Sequence, residues 1–390
     1  MHGRRRRVLR PAALTCRWPA VPQRKKQLTA RPARKLFEPK MRPLLARPGA
    51  AFRCFGDGLC CTDIHALGVL TRSEVKWLRQ KDKLSVIYSD DVDGYCLKPV
   101  DSRCVFLQPD DRCGIHAEHG AAAKPAGCRR FPYGLVSTPF GGRVTTEHRC
   151  PCRTLGTRPE ILLDDAEASL RDNAGRLESD KEVPSKVSLR VGQRVSFDTY
   201  LAIETDMIAR LNAGEPAEDV LAARALPDMA EGGWATIAVE QIEMVDPSAG
   251  GAVCAWFGDA LLELAAGHTP PQRPRPWAWA YERASARPGN GQTADYVFND
   301  WIADELWMFR WLDWGPGFDV ARSEMATRLK VARQIQSRIE RENVPPAQAA
   351  AEAVMICELV SEGSEWPKAV SNIATDPSPA DVLTLPARLS

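Results

Sequence analysis

Apolar positions along this chain follow two rhythms that change near residue 158. Beyond that point they recur three and four apart. Phe197, Tyr200, Leu201, Met207, Ile208 and Leu211 line one face of a 3.6-residue period, with Ser196 as N-cap and Gly214 and Pro216 as the stop. Ala321, Met325, Leu329, Ala332, Ile335 and Ile339 form a second stripe, inside a helix expected over 320–342. Further helices are expected over 160–177, 216–225, 234–245, 252–266, 294–311 and 346–362, with a proline-rich, turn-rich linker over 268–293. Before residue 158 the apolar runs are short, as in Leu84–Tyr88 and Cys104–Leu107, and Gly, Pro, Asp and Cys separate them. One helix is expected there, Ser73–Gln80, capped by Ser73 with Val75, Trp77 and Leu78 on its apolar side. The expected fold class is mainly α, with a Cys-rich, loop-dominated metal-binding segment packed on a helical C-terminal region.

Charge divides the chain further. The formal net charge of +2 is a cancellation. Residues 1–48 hold fifteen Lys and Arg against one acid, Glu38, so the remaining residues carry 37 basic and 49 acidic side chains, a net of −12. Seven prolines in the basic head oppose a transit-peptide helix, and Arg10 and Pro11 interrupt any secretory apolar run. Residues 1–50 are therefore expected to be a disordered basic tail or the product of a mis-called start, with translation beginning at Met41. The other expected segments are a cysteine-cluster domain over 51–156, a helical domain over 157–376 and a frayed tail over 377–390. The 44% hydrophobic and 26% charged fractions suit a globular protein, and no uninterrupted apolar run approaches 18 residues, so no membrane span is expected. The net acidity beyond the head argues against a nucleic-acid partner. Without a secretion signal the expected location is cytoplasmic.

Candidate chemistry is concentrated in cysteine. Nine of the twelve lie between Cys54 and Cys152. In a reducing compartment that density points to metal ligands or redox groups rather than to disulfides, and thiolates suit zinc or iron–sulfur clusters. No C-x2-C pair or ferredoxin run occurs, so the ligands must come from distant points of the fold. Glycines beside Cys54, Cys60, Cys113 and Cys128 let the backbone turn tightly around sulfur, and Arg129 and Arg130 could offset thiolate charge. Cys96 and Cys152 read as spare thiols. Cys254 and Cys357 fall on apolar helix faces and read as core. His65, His116 and His148 stand near cysteines but read first as polar partners. Eight tryptophans between Trp234 and Trp314 read mainly as core filling, with Trp307, Trp311 and Trp314 the best exceptions for an aromatic pocket. No Walker A loop, dinucleotide fingerprint, G-x-S-x-G or H-E-x-x-H occurs.

The segments Cys54…Cys60-Cys61, Cys104-Val-Phe-Leu, Cys113-Gly-Ile-His, Cys128-Arg-Arg-Phe-Pro and Cys150-Pro resemble the cysteine-cluster family of zinc- or iron-chelating domains with a C-x2-C-x2-C-C signature. They are also similar to flagellin lysine-N-methylases. Cys54, Cys60 and Cys61 match the ends of the signature, and Asp57 stands where its second cysteine would be. The resemblance covers residues 51–155 well and 190–345 loosely. It implies an iron–sulfur cluster or zinc held by Cys60, Cys61, Cys104, Cys113, Cys128 and Cys150, with Cys54 as a further ligand. More faintly it implies methyl transfer from S-adenosylmethionine to a lysine of a protein substrate.

Overall fold

In the computed structural model the described residues are 41–361 and Trp366, apart from residue 66 and residues 90–92, 224–233, 244–247, 289–290 and 314–316. The basic head up to residue 40, the frayed tail, Cys16 and Trp314 lie outside the described residues.

The helices carry the largest core. Phe197–Asn212 begins where Ser196 Oγ accepts from the Thr199 N–H at 3.2 Å, as its N-cap role requires. Ala294–Trp307, Phe318–Glu340 and Pro346–Ser361 pack with Ala249–Ala266 into one apolar mass that includes Trp256, Trp301, Met325, Ile335 and Met355. The tryptophans are mostly core: Trp234, Trp256, Trp277, Trp301, Trp307 and Trp311 are buried, and the Trp307 indole donates to the Val144 carbonyl at 3.0 Å. Cys254 and Cys357 are buried among these helices. Ala249–Ala266 is long and apolar enough to cross a membrane by length and composition, at a mean hydropathy of 1.3, yet 67% of that window is buried inside the protein.

The expectation of a mainly α chain is corrected by a four-stranded mixed sheet inside the cysteine-rich half. Its order is Leu44–Ala46, Gly141–Thr146, Tyr133–Thr138, Lys181–Glu182. The two central strands form an antiparallel hairpin, and each outer strand joins it parallel. Three two-stranded ribbons accompany it: Val86–Ser89 with Gly94–Leu97, Pro99–Val100 with Arg103–Cys104, and Lys186–Arg190 with Gln193–Ser196. The physical reason for the miss lies in Gly141–Thr146. All six of its residues are buried, so neither face alternates with the polar face that marks a half-exposed strand. Its glycines read as turns, but Gly142 is there for a close approach: a Cβ would lie 2.7 Å from the Met41 carbonyl oxygen.

Residues 41–50 belong to the packed structure. Met41, Leu44 and Ala50 are buried with Leu135 and Val144 against the sheet. Other boundaries shift for local reasons. The first helix is Arg72–Lys81, and Thr71 caps it through a reciprocal box with Glu74 rather than Ser73. The helix expected over 160–177 is only Leu163–Leu170, because Asp172 Oδ1 accepts from the N–H groups of Ala174 and Arg176 at 2.8 Å each and turns the chain. The proline-rich linker holds a helix, Ala278–Ser285.

Buried ion pairs lock the sheet to the helices. Arg143 pairs bidentately with Glu204 at 2.8 and 2.7 Å and stacks 3.9 Å from the Trp307 ring. Asp304 accepts from Arg47 Nε at 2.5 Å, Arg153 Nη2 at 2.6 Å and Thr146 Oγ1 at 3.1 Å. Asp300, one helical turn earlier, pairs with Arg47 and Arg153 as well. The short helix Pro151–Thr154, which carries Cys152, is thereby pinned to the helix Ala294–Trp307 through Arg153.

Candidate metal centre

Backbone contacts between distant loops bring the thiols together. Cys60 and Cys61 lie on a single 3-10 turn, closed by the Cys61 N–H donating to the Gly58 carbonyl at 2.9 Å. An isolated bridge between Thr62 and Arg103 then lays this turn beside Cys104. A second bridge, between Leu107 and Cys113, folds the next loop back, and Cys113 becomes the N-cap of the helix Gly114–His119. Cys128 sits on the short helix Ala126–Arg130, which is anchored where the Ala126 N–H donates to Glu74 Oε1 at 2.7 Å. Two glycines permit these approaches. Gly58 holds φ at +80°, and a Cβ there would lie 2.8 Å from the Asp111 carbonyl. At Gly127 a Cβ would lie 1.7 Å from the Leu67 carbonyl oxygen, a direct collision with backbone. Gly127→Ala is expected to displace Cys128 and to destabilise the protein by on the order of 1–3 kcal/mol, read as a lowered urea midpoint.

The resulting group contains Cys60, Cys61, Cys104, Cys113 and Cys128, drawn from four loops. Cys61 is its hub, in hydrogen-bond contact with both Cys60 and Cys113. Contact with Cys113 and Cys60 first, and burial after them, push the Cys61 thiol far up. Its two neighbours move the other way. Cys113 is lowered to about 5, by Cys61 first and, against burial, by the N–H groups of His116 and Ile115 and the charge of Lys124. The Cys60 thiol is lowered by Cys61 and, against burial, by Lys124. Burial raises Cys104 to about 11 and Cys128 to about 12. Lys124 faces Cys60, Cys128, Cys113 and Cys54, and supplies the positive charge that the sequence suggested for Arg129 and Arg130. Those arginines turn away: Arg129 donates to the Arg171 carbonyl at 2.8 Å, and Arg130 pairs with Asp180 at 2.7 Å.

Cys54 and Cys150 belong to a neighbouring group whose middle is Cys152. That thiol donates to Asp57 Oδ2 at 2.8 Å, accepts from the Phe55 N–H at 3.2 Å, and contacts both Cys54 and Cys150. Cys60 also feels the charge at Cys54, so the two groups adjoin. Asp57 is pinned from its other side by Arg287, which stacks 4.1 Å over the Phe55 ring. The spare reading of Cys152 therefore gives way to a central one. The signal was the Cys150-Pro-Cys152 spacing, where Pro at the first helical position starts a turn that carries both sulfurs. Lys124 and Arg287 carry no motif and were not legible.

The remaining candidates are elsewhere. Cys96 lies in the strand Gly94–Leu97, and burial alone raises its thiol. The His116 side chain is exposed, and its backbone N–H serves Cys113. His148 is fully buried in the ion-pair network, with Nε2 2.8 Å from Asp304 Oδ2. His65 is buried with its ring centroid 5.0 Å from that of Phe131. Burial first, and then the Arg149 charge, hold its imidazole well below the ordinary value. Its folded pKa is depressed, so its stabilising effect is present above the unfolded pKa of about 6.5 and is lost as pH falls toward the folded value. The urea midpoint is expected to fall between pH 7.5 and 5, and His65→Gln should flatten that slope.

None of the nine window cysteines is in a disulfide. The thiols meet as hydrogen-bonded pairs and chains, and among the described residues no group of three or more His, Cys, Asp or Glu is already placed around one point to hold an ion. The donor chemistry nonetheless fits a soft or borderline metal: sulfurs without disulfide partners, a lysine and a helix N-terminus favouring thiolates, and glycine turns that can close on an ion. Cys60, Cys61 and Cys113 are the residues that would hold such an ion, and their thiols would give up protons on binding it. In comparisons with family models, curated proteins and solved structures, nothing matches this chain.

Proposed function

We propose that this protein binds a metal, zinc or an iron–sulfur cluster, through Cys60, Cys61, Cys104, Cys113 and Cys128, with Cys54 and Cys150 close by. The observation that carries this reading is that Cys61 contacts Cys60 and Cys113, while Cys104, Cys128 and Lys124, from other segments of the chain, lie close enough to these thiols to act on their charge. Five free thiols in a segment with a small apolar core are a poor structural choice unless something binds them. Its own apolar cluster is Leu70, Val75, Leu78, Val86 and Ile115, and Leu59 and Ile64 join the Cys60–Cys61 turn to the main core. A metal supplies the missing staple and removes the cost of packing thiolates together. The resemblance to the cysteine-cluster family supports the same reading. Its extension to lysine methylation gains no pocket from the tryptophans, since Trp307 and Trp311 are buried in the helical core.

Anaerobic purification followed by elemental mass spectrometry and a visible spectrum tests the proposal. A brown sample absorbing near ~400 nm is expected for an iron–sulfur centre, and a colourless zinc protein for a structural one. A protein with no metal and all its thiols titratable is incompatible with either form.

A further inference from the structure

We propose that the cavity beside Asp57 binds a small phosphate monoester carrying a flat ring, with Arg283 and Arg287 on the phosphate and Phe55 against the ring. The proposal does not depend on a metal at the thiols. The cavity has a volume of about 350 Å³ and is lined by Phe55, Asp57, Thr157, Arg283, Arg287 and Pro288. That volume is near the lower end for small-molecule sites, so the ligand is compact.

Charge sets the sign of the ligand. Asp57 is the acid of the lining, and both its oxygens are committed: Oδ1 to Arg287, and Oδ2 to the S–H of Cys152 at 2.8 Å. Arg283 Nη2 donates to Asp111 Oδ2 at 2.6 Å, but Arg103 holds the other oxygen of that carboxylate. One carboxylate thus serves two guanidinium groups. Arg158, next to Thr157 in the chain, adds a further cation, and its Nη1 is buried with no hydrogen-bond partner.

Four arginines, Arg103, Arg158, Arg283 and Arg287, against two aspartates, Asp57 and Asp111, leave two positive charges at this place. The excess is local, since residues 49–390 together carry a net −12. A phosphate monoester, at about −1.5 to −2 near pH 7, matches that excess, whereas a single carboxylate answers half of it.

Geometry adds the flat ring. Arg287 lies 4.1 Å from the centre of the Phe55 ring, and its Nη1 donates to the Leu155 carbonyl at 3.4 Å. Together with the Asp57 pair, these contacts fix the guanidinium in place, so little freedom is lost when it meets a phosphate. Phe55 is nonetheless 40% exposed, unusual for so large an apolar side chain, and its open surface faces the cavity it lines. The Arg283 side chain is 47% exposed and pairs through Nη2, which leaves its other N–H groups within reach of a ligand.

Titration calorimetry on the full-length protein tests this, with phenyl phosphate, inorganic phosphate, benzoate and phenol as probes and urea midpoints as a folding control. Phenyl phosphate is expected to bind wild type more tightly than inorganic phosphate or benzoate, and phenol is expected not to bind. Arg283→Gln should weaken phenyl phosphate about tenfold, the effect of losing one charge-assisted hydrogen bond. Phe55→Ala should weaken phenyl phosphate about threefold through the lost ring contact and leave inorganic phosphate unchanged. Both side chains are half exposed, so the urea midpoints should hold. Wild type that binds none of the anions, or phenyl phosphate bound equally by wild type and folded Arg283→Gln, would overturn the site. Benzoate bound more tightly than phenyl phosphate would overturn its assignment to a phosphate. Phenyl phosphate and inorganic phosphate bound equally by wild type would overturn the role given to Phe55.

Discussion

Asp304→Ala is expected to destabilise the protein by on the order of 3–5 kcal/mol, a large part of the stability of an ordinary domain. The carboxylate is buried at the junction of three chain segments. It accepts from Arg47 at the start of the described fold, from Thr146 on the central sheet, and from Arg153 beside the thiols. Without it, Asp300 alone faces two buried guanidinium groups. The cost is that of an uncompensated buried charge, which exceeds the worth of an exposed ion pair several-fold. A urea titration measures it. A midpoint shift worth less than about 1 kcal/mol would mean that water reaches this network. The network should also survive mild acid. Burial opposes ionisation of Asp304, but Arg47 and Arg153 outweigh it and hold the carboxyl well below the usual range. Asp300 is lowered in the same way. Their folded pKa values are depressed, so the stabilisation is complete above about pH 4 and disappears only as pH falls through the folded values. Stability lost between pH 7.5 and 5 should therefore trace to buried histidine, not to these carboxylates.

The second large effect is expected from Cys61→Ser. Cys61 is the hub that touches Cys60 and Cys113, so the substitution removes the bridge between two loops. Where metal binding and folding are coupled, binding contributes on the order of 10 kcal/mol in small zinc domains, and losing one thiolate forfeits much of that. Here the loss should stay local. The helical core from Phe197 to Ser361 has its own extensive apolar packing, to which the segments around the thiols add Leu59 and Ile64, their other buried apolar residues forming a small cluster around Leu78. Limited proteolysis should cut Cys61→Ser within residues 59–128 under conditions in which wild type resists, and should leave the helices intact. A chelator added to wild type should produce the same pattern. Uniform cleavage along the chain would mean that the thiol loops and the helices unfold as one unit.

How far the sequence foretold this architecture depends on which physical signal each element carries. Phe197–Asn212 and Phe318–Glu340 were legible because one face is apolar at helical spacing and a cap or a turn bounds each end. The sheet was not, because Gly141–Thr146 is buried on both sides and pairs with strands from either end of the cysteine segment. Such pairing depends on distant residues such as Leu44, which local composition assigned to a tail. The thiol clustering was foreseeable from density and turn residues, and Cys60, Cys61, Cys104, Cys113 and Cys128 do meet. The division into two groups was hidden. It depends on where Pro151–Thr154 is held, and Arg153 sets that through Asp300 and Asp304, 147 and 151 residues further along the chain. His148, beside Cys150 in the sequence, is a polar partner as its type suggests: the same network takes its ring to Asp304.

The most direct test of the central claim is the number of metal ions retained per chain after anaerobic purification, measured in parallel for wild type, Cys61→Ser and Cys113→Ser from the same growth medium. The account predicts at least one zinc or iron ion in wild type and a clear loss in both variants, in step with protease sensitivity of the loops around Cys61. Wild type that is folded, metal-free and unchanged in stability by either substitution would contradict it.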